Sequence, residues 1–255
     1  LYVYPQQGYW STRRDSISVT TGDEIPLTPL DLSYRDALRH FYGNAPATAG
    51  QGVRVAVVDT GVAAHQDLVI EGGENTVTGE DPQAYGDNGE GHGTHVAGII
   101  AARGTAPGGL RGLAPGVGLH SYRVFPQSSG LASNFAIAKA IDSAVSAACD
   151  LINLSLGNRS PDPALSAAVE DARNAGSLVI VAAGNDGRAA VSHPAAESLA
   201  VAVAALGRKG TFPDDSTHAD AIAAPFGGNA DDFVAAFSII GPEIDLIGPG
   251  VGILS

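Results

Sequence analysis

Short apolar runs constrain the fold of this chain more than any other feature. Val53 to Val58, VRVAVV, is a continuous apolar stretch ended by Asp59. Only a strand covered on both faces can bury every side chain of such a run. The pattern recurs at Gly118–Phe125 (GLHSYRVF), Asp150–Ser155 (DLINLS), Ser177–Ala183 (SLVIVAA) and Ser198–Leu206 (SLAVAVAAL). Between these runs lie stretches with helical spacing. They are Gly93–Arg103, Ala132–Cys149 with a Ser or Asn cap, and Pro163–Gly176 with Pro in the first turn and Gly at the end. Strands alternating with helices predict an α/β fold, a doubly wound and mostly parallel sheet with helices on both faces. EIDLIGPG, residues 243–250, predicts one last strand. Residues 207–233 break the rhythm with acid and turn residues and read as a surface insertion. Leu32–Gly43 predicts a helix in an otherwise irregular N-terminal extension, residues 1–45. The domain proper spans 46–255.

The composition fits one such domain. Hydrophobic residues make up 44% and charged residues 16%, enough apolar surface for a large core. The net charge of −13 leaves no basic patch to displace counterions from phosphates, which argues against a nucleic-acid partner. No apolar stretch is long enough to span a membrane, and no signal peptide is visible. Cys149 is the single cysteine, so an internal disulfide is excluded; buried filler is its expected role. The chain has no methionine, so its natural start is expected upstream of Leu1.

In an open parallel sheet, ligands bind beyond the carboxyl ends of the strands. Three different strands place Asp59, Ser155 and Asn185 there, a carboxylate, a hydroxyl and an amide on one edge. His92 lies at the start of a helix between Gly91 and Gly93, which leave room for close approach. His95 lies three residues further along the same helix. Without a third ligand or an intervening Glu, the His pair reads as packing rather than as a metal site. Gly89, Gly91 and Gly93 lack the spacing of a dinucleotide loop and do not follow a strand.

Seven motifs occur in order: VAVVDTGV (55–62), HQDL (65–68), GHGTHVAG (91–98), GLAPGV (112–117), NLSLG (153–157), AAGNDG (182–187) and IGPEIDLIGPGVGILS (240–255). Together they resemble the subtilases, a family of serine peptidases, from about Gly50 to the last residue. The resemblance implies roles. Asp59 would orient the imidazole and fix its tautomer, and His92 would be general base and then general acid. Asn185 would donate its amide to the developing oxyanion. Leu154, Ser155, Leu156 and Gly157 would pair with an extended peptide. Ala182 and Ala183 would flank the first specificity pocket, with Asp186 a candidate for its floor. Secretion is the family's expected destination. Asp67 resembles a calcium ligand of some subtilases, but the loop ARGTAPGGLRG lacks their Asn, so no cofactor is expected and calcium stays open.

The family's nucleophile lies in a Gly-Thr-Ser-Met motif that follows the segment seen here as GPGVGILS. That motif is expected about a dozen residues beyond Ser255. Three functions are therefore compatible with the sequence: a serine endopeptidase of which this is a part, an esterase-like hydrolase using Ser155 as surrogate nucleophile, or a non-catalytic peptide-binding protein. Without the family's central nucleophile helix, an apolar trough is expected across the sheet. Its own C-terminal fragment, a second copy or rearranged local segments would cover it.

Overall fold

The computed structural model describes residues 42–43, 45–105, 109–127, 131–158, 160–212, 214, 216–222, 231–253 and 255. The N-terminal extension and its expected helix lie almost wholly outside these residues. Among the described residues, eight strands form one sheet. They are β1 (Arg54–Asp59), β2 (Ile70–Asn75), β3 (Gly118–Arg123), β4 (Leu151–Leu154), β5 (Leu178–Ala182), β6 (Val201–Arg208), β7 (Asp232–Val234) and β8 (Leu246–Pro249). The order is β2-β3-β1-β4-β5-β6-β7, and β8 also pairs with β6. Every pairing is parallel except that of β6 with β7. No helix among the described residues is long and apolar enough to cross a membrane.

Among the described residues, three α-helices cover the sheet: α1 (His92–Ala101), α2 (Asn134–Ser146) and α3 (Pro163–Asn174). Each starts for a local reason. The Ser133 hydroxyl caps α2 by accepting from Ala136 N–H, and Asp162 caps α3 by accepting from Ala164 and Leu165 N–H. Pro163 then stands at the first turn, where its missing N–H removes no helical bond. Residues 136, 137, 140, 141 and 144 of α2 are buried, a stripe at helical spacing that faces the sheet.

Strand parity divides the core. Ala56, Val58, Ile152, Leu154, Val179 and Val181 pack with α2 and α3 on one face. Val57, Val62 and Leu119 pack with Val96, Ala97 and Ala101 of α1 on the other. Because successive side chains alternate, Asp59 shares the face of Val57 and therefore of α1. The main α/β expectation holds, with two differences. Strand β2 has the sequence IEGGEN and shows no apolar run; it is an edge strand. A Cβ on its Gly73 would lie 2.0 Å from the Ser121 carbonyl oxygen, so the glycine is needed for close pairing with β3.

The second difference concerns residues 207–233, which are not wholly a surface feature. Phe212 and Phe233 are 3% and 2% exposed and meet edge to face with centroids 6.2 Å apart. With Ala221, Ala235 and Val251 they form a second core patch. The acidic composition hides these two aromatic anchors in the sequence.

Candidate active site

Asp59 ends β1 with no solvent exposure. His92 opens α1, and its side chain is 13% exposed. The His92 Nδ1 lies 2.6 Å from Asp59 Oδ1. The same carboxylate oxygen accepts Thr60 N–H at 2.7 Å. Two glycines make this approach possible. A Cβ on Gly93 would lie 2.3 Å from the Gly61 carbonyl oxygen and 3.1 Å from Asp59 Cβ. Gly61 itself has φ +92, and a Cβ there would lie 2.1 Å from Gly86 O. The helix start, the strand end and the preceding loop thus touch backbone to backbone.

Burial works against a charged His92, but Asp59 beside it, with Glu90 and Asp87, outweighs burial and holds the imidazole pKa above its ordinary value. The geometry suits a histidine whose Nδ1–H is held by a carboxylate while Nε2 takes and returns protons. The loop before His92 is itself anchored. The Arg123 guanidinium at the end of β3 pairs with Glu80 and donates to the carbonyls of Ala84 and Phe125. Gln127 N–H donates to Glu80 Oε1, and Gln127 Nε2 donates to the Asn88 carbonyl.

The neighbouring strands bring the other predicted residues to the same edge. Val58 pairs with Leu154, and Leu154 with Val181. One step further along, Asp59, Ser155 and Ala182 stand level on three adjacent strands. Parity puts Ser155 on the α1 face, and its Oγ accepts from Asn153 Nδ2 at 3.0 Å. Leu156 and Gly157 continue that strand end, partly buried. Ala182 and Ala183 are buried at the end of β5. Gly184 then turns with φ +116, where a Cβ would lie 2.7 Å from Ile239 Cδ1. Asn185 follows, partly buried, and Asp186 is exposed on the same turn.

Two further expectations concern His95 and Asp67. The His95 imidazole is partly buried against the Ile253 backbone, and burial together with nearby His92 lowers its pKa to about 4. The Ser255 hydroxyl donates to the His95 carbonyl at 2.8 Å. Both contacts are with the protein's own backbone. Asp67 is 6% exposed, and its Oδ1 accepts from both Thr105 N–H and the Thr105 hydroxyl. That oxygen ties Thr105 to the 65–68 segment, and among the described residues no group of three or more His, Cys, Asp or Glu side chains is placed to hold a metal.

A neutral His95 predicts acid sensitivity. Its folded pKa lies below the unfolded value, so its contribution to stability is complete above about pH 6.5 and is lost as pH falls through about 4. At most about 3 kcal/mol is at stake across that window. Urea unfolding between pH 7 and 4 should show the loss, and His95→Gln should flatten it. An equally steep fall in the variant would assign the acid sensitivity elsewhere.

Thr60 and Asp87 do not stand out in the sequence as site residues, although both touch the loop that presents His92. Their signal lies in Asp-Thr-Gly and in the turn-forming run DNGEG, which needs a side-chain acceptor for its amides.

Comparisons with known proteins bear on the same segment. A profile described as the subtilase family matches residues 50–253. A thermostable alkaline protease of Halalkalibacterium halodurans is 40% identical over 206 residues, which are 81% of this chain and 50% of that protein. Subtilisin Savinase of Lederbergia lenta is 37% identical over 206 residues, 81% of this chain and 66% of that protein. The chain thus spans between half and two thirds of these two relatives. Among solved structures, sphericase superposes with a TM-score of 0.65 at 30% identity, covering 84% of this chain and 72% of that one. A cold-adapted subtilisin-like serine proteinase gives a TM-score of 0.62 at 28% identity, covering 81% and 66%.

Proposed function

The chain belongs to the subtilase family of serine peptidases, and from that premise we propose that it supplies the acid–base pair and the peptide-binding edge of a serine endopeptidase. The observation that carries this reading is the 2.6 Å contact of His92 Nδ1 with the fully buried Asp59 carboxylate. In this reading Asp59 holds the imidazole in the tautomer that leaves Nε2 as base. His92 takes the proton of an attacking hydroxyl and returns it to the leaving amine. Asn185 donates its amide to the oxyanion. The end of β4, Leu154 to Gly157, pairs with an extended substrate. Ala182 and Ala183 wall the first pocket, and Asp186 at its floor favours basic or polar side chains. An extracellular site of action belongs to the same reading.

Residues 1–255 contain no methionine and hence no Gly-Thr-Ser-Met segment. A peptide bond needs an aligned nucleophile together with base and oxyanion donor, whereas an activated ester needs much less. The expected result is weak ester hydrolysis and negligible peptide hydrolysis by residues 1–255, with His92→Ala abolishing the ester turnover. Robust protein digestion by a preparation shown by mass to hold only these residues would overturn the division of labour.

A second reading has one observation in its favour. Ser155 stands level with Asp59 on the adjacent strand and the same face. If Ser155 is a surrogate nucleophile, a fluorophosphonate labels it, and Ser155→Ala removes ester turnover. If water attacks instead, no serine is labelled and Ser155→Ala only reduces the rate. Leu246 and Ile247 of β8 are 58% and 46% exposed. Under the endopeptidase proposal a C-terminal fragment or a second copy covers them.

A further inference from the structure

Helix α1 carries the proposed base, yet its own cap residue is Gly91, with φ 78 and no side chain to satisfy the first-turn amides. The missing cap is supplied from elsewhere. Gly93 N–H donates to Thr60 Oγ1 at 2.9 Å, across a gap of 33 residues. The Thr60 hydroxyl donates in turn to Asp87 Oδ2 at 3.1 Å. Asp87 also accepts Gly89 N–H at 2.7 Å and Gly91 N–H at 3.0 Å.

The remaining groups of Thr60 are used as well. Its N–H holds Asp59 Oδ1, and its carbonyl accepts Asn88 N–H at 2.9 Å. Thr60 is 2% exposed, and its bonds to Asp59 and Gly93 are buried, while the one to Asp87 is partly so. One residue therefore grips both partners of the His92–Asp59 contact. It fixes the carboxylate through its amide and the helix start through its hydroxyl.

We propose that Thr60 and Asp87 form a clasp that positions His92 against Asp59. Both are positioning residues; neither touches the reacting atoms in this assignment. The hydroxyl is essential because it must donate to Asp87 and accept from Gly93 at once. Serine can do both, and valine, of the same shape as threonine, can do neither. The carboxylate of Asp87 is essential because it gathers three donors and adds negative charge beside the imidazole. The other charged or titratable groups near His92 are Asp59 on β1, Glu90 on the loop and His95 on α1.

The inference rests on reading His92 as the base, but its test does not need catalysis. In NMR spectra of the protein itself, the proton on His92 Nδ1 should be observable while the contact with Asp59 holds. Thr60→Val should release it to fast exchange, and Thr60→Ser should retain it. Asp87→Asn, nearly isosteric, should lower the His92 titration midpoint. If hydrolysis is also followed, Thr60→Val should lower kcat about 100-fold with little change in KM, the effect of a small misplacement. A Thr60→Val protein with the Nδ1 proton intact, or an Asp87→Asn protein with an unmoved midpoint, would overturn the clasp. Hydrolysis independent of His92 alongside the expected NMR changes would instead overturn the functional reading and leave the clasp standing.

Discussion

In a protein that includes the nucleophile segment, Asp59→Asn should lower the rate of peptide hydrolysis by about 3 × 10⁴-fold with little change in KM, the size of effect known for the corresponding aspartate of subtilisin. The direction follows from the geometry. Asp59 Oδ1 already accepts Thr60 N–H, so an asparagine keeps its oxygen there and that oxygen still accepts from Nδ1–H as a neutral amide. If the amide turns its NH₂ toward His92, Nδ1 must become an acceptor, and Nε2 then carries the proton it should receive. In either case the negative charge that steadies the imidazolium is lost. The same change should lower the His92 pKa, because Asp59 is the leading group that raises it against burial. Steady-state kinetics across pH would show both effects: a lower plateau and a base limb moved to lower pH. A variant with wild-type turnover would remove Asp59 from the mechanism.

Gly93→Ala should also be damaging, by a different route. Gly93 has ordinary helical backbone, so alanine introduces no conformational strain and would favour the helix by propensity alone. The obstacle is contact. The new methyl would lie 2.3 Å from the Gly61 carbonyl oxygen and 3.1 Å from Asp59 Cβ, and a backbone oxygen cannot swing aside. Helix α1 must therefore retreat from the end of β1, carrying His92 with it. A shift approaching 1 Å at a catalytic group lowers rate about 100-fold. The overpacking should also lower stability by about 1–3 kcal/mol. Thermal unfolding and turnover measured on one preparation check both parts. A stable variant with undiminished activity would mean that the helix start tolerates displacement.

The two predictions differ in what sequence alone could supply. Asp59 and His92 are legible because each stands in a motif of unusual composition, Asp-Thr-Gly and Gly-His-Gly-Thr-His, and because β1 carries the unbroken apolar run Val55–Val58. The central strands β1, β4 and β5 are legible for the same physical reason: burial on both faces leaves a continuous signal. Strand β2 is not. An edge strand with Gly72 and Gly73 needs neither apolar runs nor alternation, and its identity comes from the close approach of β3. The two phenylalanines at 212 and 233 are hidden by the acidic turns around them. Thr60 and Asp87 are invisible as a pair, since hydrogen bonds spanning 27 and 33 residues leave no periodicity to read. Asn185 and Asp186 stand on the turn after β5, and parity puts Ser155 on the face of α1.

Catalysis as proposed requires that the Asp59–His92 pair activate a serine. Fluorophosphonate labelling of a protein that digests peptides, and so includes the nucleophile segment, followed by peptide mapping, reads this directly when the wild type and Asp59→Asn are compared. The prediction is a single labelled serine in the wild type and labelling slowed by several powers of ten in the variant. Hydrolysis without any labelled serine, or labelling at the same rate in both proteins, would contradict it.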